Sequence, residues 1–140
     1  NMILFSDVNT QYRDYRKDKS IIALPSTAYV IGGVEDGLWV GDLTDIYFLK
    51  GTSPTNFQFL QRADYNIVRG TEQEFKTMKI GGRFIDKGIL ITTSKGICLL
   101  ENGGKFSNLT EGHFKVSINP VRGVALIKKG DYNQYIAVLR

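Results

Sequence analysis

The sequence is poor in the residues from which cross-links, metal centres and catalytic sites are commonly built. It holds one cysteine in 140 residues, which excludes a disulfide within the chain and any cysteine cluster for a metal. That residue, Cys98, stands in the apolar run Ile97-Cys98-Leu99-Leu100, where a thiol packs as a small, inert hydrophobe. Sparse cysteine suits a chain made in a reducing cytoplasm. The single histidine, His113, follows Thr110-Glu111-Gly112 and reads as the decoration of a turn. No second histidine or cysteine is at hand to share a zinc ion with it, and a Ser-His-Asp system would rest on it alone. No Gly-x-Ser-x-Gly elbow occurs. No apolar run approaches the ~20 residues of a membrane-spanning helix, and no signal peptide is visible.

Glycine pairs at 32–33, 81–82 and 103–104 lack the Gly-x-x-x-x-Gly-Lys-Ser/Thr spacing and a convincing helix after them. Turns and bulges account for them better than phosphate loops. Asp42, Asp45, Asp64 and Asp86 fall near strand ends, where a carboxylate pair would serve glycoside hydrolysis. The Ser-x-Asp-x-Gly-x-Thr-Trp box of sialidase-type enzymes is absent. The expectation is a protein that is not an enzyme, with no catalytic residue, no metal and no cofactor.

What the chain does hold is ordinary globular material. Hydrophobic residues at 42% and charged residues at 23% exclude wholesale disorder. A net charge of +4 is mildly basic, and one cluster stands out: Arg13, Arg16, Lys17 and Lys19, with Tyr12, Tyr15, Asp14 and Asp18 among them. The interleaved acids favour a solvated segment, and a weak DNA or phosphate contact is the alternative. Arg13, Arg16, Lys17 and Trp39 are the candidate partner contacts. Trp39 with Tyr47, Phe48, Phe57 and Phe59 makes the densest aromatic region, either a buried interface between sheets or a platform for a sugar.

No stretch keeps the i, i+3, i+4, i+7 spacing of an amphipathic helix for long, whereas short β-branched and aromatic runs recur about every ten residues. Asp36-Gly37 is the strongest hairpin signal. From Gly37 to Leu49 the apolar positions coincide, without a gap, with those from Gly88 to Leu100, an offset of 51 residues. That offset is near the period of a propeller blade. The fold expected is all-β, of short antiparallel strands in blade-like repeats: a partial β-propeller, or else a β-sandwich or barrel. Residues 1–20 read as an N-terminal arm or loop and 21–140 as one domain. Blade-like units span about 29–68 and 80–119, with further strands over 121–139. Residues 70–78 read either as a short helical turn capped by Thr71 or as an excursion between blades. Blades of ~40–50 residues number about three here, short of the 4–8 of a closed ring. The expectation is a fragment of a longer chain or a ring closed across chains.

Three stretches carry a resemblance: Asp45-Ile46-Tyr47-Phe48-Leu49-Lys50-Gly51-Thr52-Ser53-Pro54, then 65–71, then 96–111, with Gln134-Tyr135-Ile136-Ala137-Val138-Leu139 at the close. Over roughly residues 30–140 the chain resembles tailed-bacteriophage and prophage virion structural proteins, whose members include propeller-like tail hub and nozzle subunits. The resemblance implies a non-catalytic scaffold, made in the host cytoplasm and carried in the virion. Its partners would be other virion or tail subunits, including copies of itself. The rivals are a propeller-like module that binds a glycan or protein through its loops and, further off, a hydrolase.

Overall fold

Two-residue turns set the strand pairing. In the computed structural model, which describes residues 2–4, 21–53, 56–113, 116 and 122–140, Glu35-Asp36 joins strands β3 (Val30–Val34) and β4 (Gly37–Gly41). Gly81-Gly82 joins β7 (Gln73–Ile80) to β8 (Arg83–Thr93). Both of these glycines have positive φ, 59° and 81°, the backbone that a tight hairpin turn demands and that side chains resist. Ser94-Lys95 joins β8 to β9 (Gly96–Glu101).

The remaining strands are β1 (Met2–Leu4), β2 (Ile21–Ala23), β5 (Ile46–Lys50), β6 (Gln58–Ala63), β10 (Phe106–Asn108), β11 (Gly123–Lys128) and β12 (Gln134–Leu139). Among the described residues the pairings between these strands are antiparallel, and one isolated parallel bridge joins Arg69 to Arg122. Two four-stranded meanders, β3-β4-β5-β6 and β7-β8-β9-β10, are flanked by two hairpins, β1-β2 and β11-β12. The protein is all-β, a set of small antiparallel sheets. Among the described residues these sheets close into neither a barrel nor a propeller.

Strand alternation gives each meander two apolar faces, and the middle strands bury side chains on both. One face of the first sheet, Val40 and Leu49, packs on Ile3 and Ile22 of the β1-β2 hairpin. Its other face, Trp39, Ile46 and Phe48, packs on Ile89, Ile91, Cys98 and Leu100 of the second sheet. The far face of the second sheet, Leu90 and Leu99 with Phe75, Met78 and Ile85, receives Ile127 and Tyr135 of the β11-β12 hairpin. The result is four layers.

The offset of 51 residues aligns these layers strand on strand and face on face. Trp39 and Phe48 of the first sheet match Leu90 and Leu99 of the second, and each pair points toward the layer that follows. Val40 and Leu49 match Ile91 and Leu100, and each pair points toward the layer before. The sheets therefore stack head to tail, always in one sense. Gly37 and Gly88, which head the matched segments, are both roofed by a phenylalanine. A Cβ added at Gly37 would stand 2.7 Å from Phe48 Cζ, and one at Gly88 would stand 2.8 Å from Phe75 Cζ.

Two expectations are corrected. Residues 73–80 form the strand β7, with no helical turn at Thr71. Its alternation breaks at Thr77, which has a φ of 49° and lets Phe75 and Met78, three apart, share one buried face. Met2–Leu4, read within an arm, pairs with Ile21–Ala23. The rest of residues 1–20 lies outside the described residues.

Phe48, fully buried and 4.9 Å from the Trp39 ring centre, is the central side chain of the seam between the sheets. Phe48→Ala is expected to cost about 3–5 kcal/mol, and Gly88→Ala about 1–3 kcal/mol by overpacking. Urea unfolding followed by Trp39 fluorescence measures both.

Candidate functional site

The polar groups near the seam bond mostly to one another. Trp39 donates its indole N–H to the backbone oxygen of Glu101 at 3.0 Å. The buried Glu101 carboxylate accepts both ends of the Arg83 guanidinium, each at 2.8 Å, a forked geometry of the strong charge-assisted kind. These bonds, and then the charge of Glu101, raise the Arg83 pKa. At the turns, Gly103 N–H donates to Asp36 and Glu35 N–H donates to Asn102 Oδ1 at 2.9 Å. On the far side, Tyr135 donates its hydroxyl to Thr71 O at 2.6 Å and meets Thr92 Oγ1 at 2.9 Å. That network ties the β11-β12 hairpin to the second sheet.

The β4-β5 connection is an aspartate turn. Asp42 accepts from Thr44 N–H at 2.7 Å, from Asp45 N–H at 2.6 Å and from the hydroxyls of Thr44 and Ser26. Its side chain organises the loop as an Asx turn does. Burial pushes the Asp42 carboxyl up, but hydrogen bonds from Ser26, Thr44 and Asp45 together outweigh it and hold the pKa below the ordinary 3.8. A carboxylate so fully committed is a poor proton donor.

Beside this turn lies an open groove of about 560 Å³, lined by Ala23, Leu24, Pro25, Tyr47 and Phe59. The turn and the groove are coupled. Ser26 follows Pro25 in the chain, and the Tyr47 hydroxyl donates to Asp45 at 3.3 Å. Burial, and then the charges of Asp45 and Asp42, raise the Tyr47 pKa, so its hydroxyl keeps its proton at neutral pH. Aromatic walls with one protonated hydroxyl and a nearby carboxylate suit stacking on a sugar ring or on an apolar side chain. A second void, lined by Trp39, Ile46, Ile67, Ile89 and Ile91, is too small and apolar for a ligand.

The structure distributes the sequence candidates unevenly. Trp39 is 1% exposed, which corrects the expectation of a partner contact there: its ring belongs to the core and its N–H is satisfied internally. Arg13, Arg16 and Lys17 lie outside the described residues. His113 is exposed in a turn, with its backbone N–H bonded to Thr110 O. Asp64 and Asp86 are exposed, whereas Asp42 is buried. Among the described residues no group of three His, Cys, Asp or Glu side chains is placed to hold a metal, and no helix is long and apolar enough to cross a membrane. Cys98 is buried, and its burial pushes the thiol pKa up to about 12. The groove was missed because Ala23, Leu24 and Pro25 come from a different hairpin than Tyr47 and Phe59. The aromatic run at 57–59 was the only signal for it.

Comparison with protein-family models, with curated proteins and with solved structures gives no match.

Because the folded Asp42 pKa is depressed, its contribution to stability is complete above pH 3.8 and is lost as the pH falls through the folded value. Asp42→Asn is expected to lower stability by about 1–3 kcal/mol at neutral pH and to flatten the acid limb of Tm against pH, read by differential scanning calorimetry. A disulfide reagent should label Cys98 only as the protein opens, so native labelling at pH 8 should follow the unfolding rate rather than the reagent concentration.

Proposed function

We propose that this chain is a structural component of a tailed-phage or prophage virion, a non-catalytic scaffold that makes subunit contacts in the tail. In this reading the two meanders are blades of an incomplete β-propeller, and the hairpins at either end are parts of neighbouring blades. The observation that carries it is the head-to-tail stacking combined with an exposed apolar face at one end of the stack. Val124 and Val138 are 66% and 65% exposed, with Leu126 and Ile136 beside them. An exposed apolar sheet face of this kind is where a scaffold meets its neighbour. The polar clusters bond inward and support a body built for assembly rather than turnover. Of the motifs that resemble virion proteins, 45–54 and 96–111 overlap the meanders, 65–71 joins them and 134–139 is β12. Such a protein would be made in the host cytoplasm and packaged with the particle, with only weak contact to DNA passing through a tail channel.

The groove lined by Tyr47 and Phe59 favours a second reading, a module that binds a glycan or a protein partner. The two readings separate cleanly. Mass spectrometry of virions purified from the host that carries the gene is expected to find the chain at constant stoichiometry per particle. Particles that lack it would overturn the scaffold reading. Glycan-array binding that is abolished by Tyr47→Ala and Phe59→Ala would support the binding module instead.

A further inference from the structure

One face of the β11-β12 hairpin is sorted by chemistry along its length. The register sets Val124 opposite Val138, Leu126 opposite Ile136 and Lys128 opposite Gln134. Arg122 and Arg140, which exchange two backbone hydrogen bonds at 3.4 and 2.9 Å, extend the same ladder by one pair. Alternation puts these side chains on one side, while Ile127 and Tyr135 turn to the second sheet. The centre of the face is aliphatic and exposed: Val124 and Val138 stand open to solvent, with Leu126 at 52% and Ile136 at 44%. Its ends are basic and exposed, Arg122 and Arg140 at one and Lys128 at the other. Among the described residues none of these three cations enters an ion pair. From 122 to 140 the one acid is Asp131, in the turn after Lys128 and Lys129, which leaves that end net positive as well.

We infer that this strip seats an acidic amphipathic helix of a neighbouring protein subunit, apolar along one side and carrying Asp or Glu near both ends. Size and charge select this occupant. Six residues of rise along two paired strands make the strip about 20 Å long and about 10 Å wide. That area is far below the ~800 Å² per partner of a standard interface between globular faces. It matches a single helix, about 10–12 Å across and about 13 residues long. Burial of the aliphatic centre supplies the attraction, and the cations at both ends fix the orientation and favour a negative partner.

The same strip on a second copy does not fit. Laid face to face on a two-fold axis, the arginine end meets either itself or the lysine end, and both arrangements oppose like charges. Nucleic acid fits poorly too, because the centre offers neither an aromatic platform for a base nor hydrogen-bonding groups for its edges. An anionic lipid surface would attract the cations, but the strip holds no Trp, Tyr or Phe, the side chains that anchor proteins at a membrane interface.

This inference rests on the reading of the face as a subunit contact, and its test needs no virion. The probes are two synthetic helices with the same leucine stripe, one with glutamate and the other with lysine at both ends. Each is added to the full chain at low salt and followed by fluorescence anisotropy. The glutamate helix is expected to bind roughly tenfold more tightly or better, and added salt should erase most of that margin. Arg122→Glu, Lys128→Glu and Arg140→Glu combined should reverse the preference. Leu126→Ser with Val138→Ser, both at exposed positions, should keep the native Trp39 fluorescence and weaken binding roughly tenfold. Equal affinity for the two helices would overturn the inference, as would a preference that survives the charge reversal or a serine variant that binds like the wild type. So would a chain that binds neither helix; if it then binds phosphatidylglycerol vesicles and not phosphatidylcholine ones, the strip belongs to a lipid surface. Binding of the glutamate helix by a chain that is absent from virions would sustain this inference and sink only the virion reading.

Discussion

The fold depends on one contact between layers, the Trp39 and Phe48 rings of the first sheet set against Ile89, Ile91, Cys98 and Leu100 of the second. A four-stranded antiparallel sheet that is apolar on both faces cannot stand alone in water. Burying one face still leaves the other, so each sheet needs a neighbour on either side. The seam satisfies one face of each meander and passes the requirement outward. The hairpin of β1 and β2 meets it at one end, and the hairpin of β11 and β12 meets it at the other. Because the sheets meet face to back, the requirement does not vanish at the last layer. It reappears as the exposed pairs Val124–Val138 and Leu126–Ile136.

Polar chemistry is subordinate to that stacking. Trp39 is too large and too polar at one edge to be buried without a partner for its N–H, and Glu101 O supplies it from the opposite sheet. The same residue anchors Arg83 through its side chain, so one glutamate serves both the interior and the rim. Tyr135 plays the corresponding part at the next interface through Thr71 and Thr92. The bonds position layers relative to one another, and burial of the apolar faces supplies the driving force, at about 25 cal/mol per Å² of apolar area.

The all-β class, the inert Cys98 and the matched hairpins at Gly37 and Gly88 were legible in the sequence, because strand alternation and turn glycines are local signals. Strand β7 was not. Its charged residues Glu74, Lys76 and Lys79 mask an apolar face, and the positive φ of Thr77 shifts the alternation midway. The groove at Tyr47 and Phe59 was legible only as an aromatic cluster, since its other wall comes from residues more than twenty positions earlier. Trp39 was ambiguous for a related reason: an aromatic side chain in a strand points to one of two faces, and composition does not say which face is covered.

By itself the sequence determined the elements and their repetition: short strands, tight turns, and an offset that returns the same apolar pattern on a second sheet. Only the tertiary structure decided how the repeats meet. The order of layers, the head-to-tail sense of their stacking and the open face at β11-β12 depend on contacts between strands far apart in the chain, and local propensity does not encode them. The rooms over Gly37 and Gly88 show both contributions. The glycines are visible in the sequence, but the atoms that crowd them, Leu49 O and the Phe48 ring at Gly37 and the Phe75 ring at Gly88, come from neighbouring strands and are placed only when the sheets form.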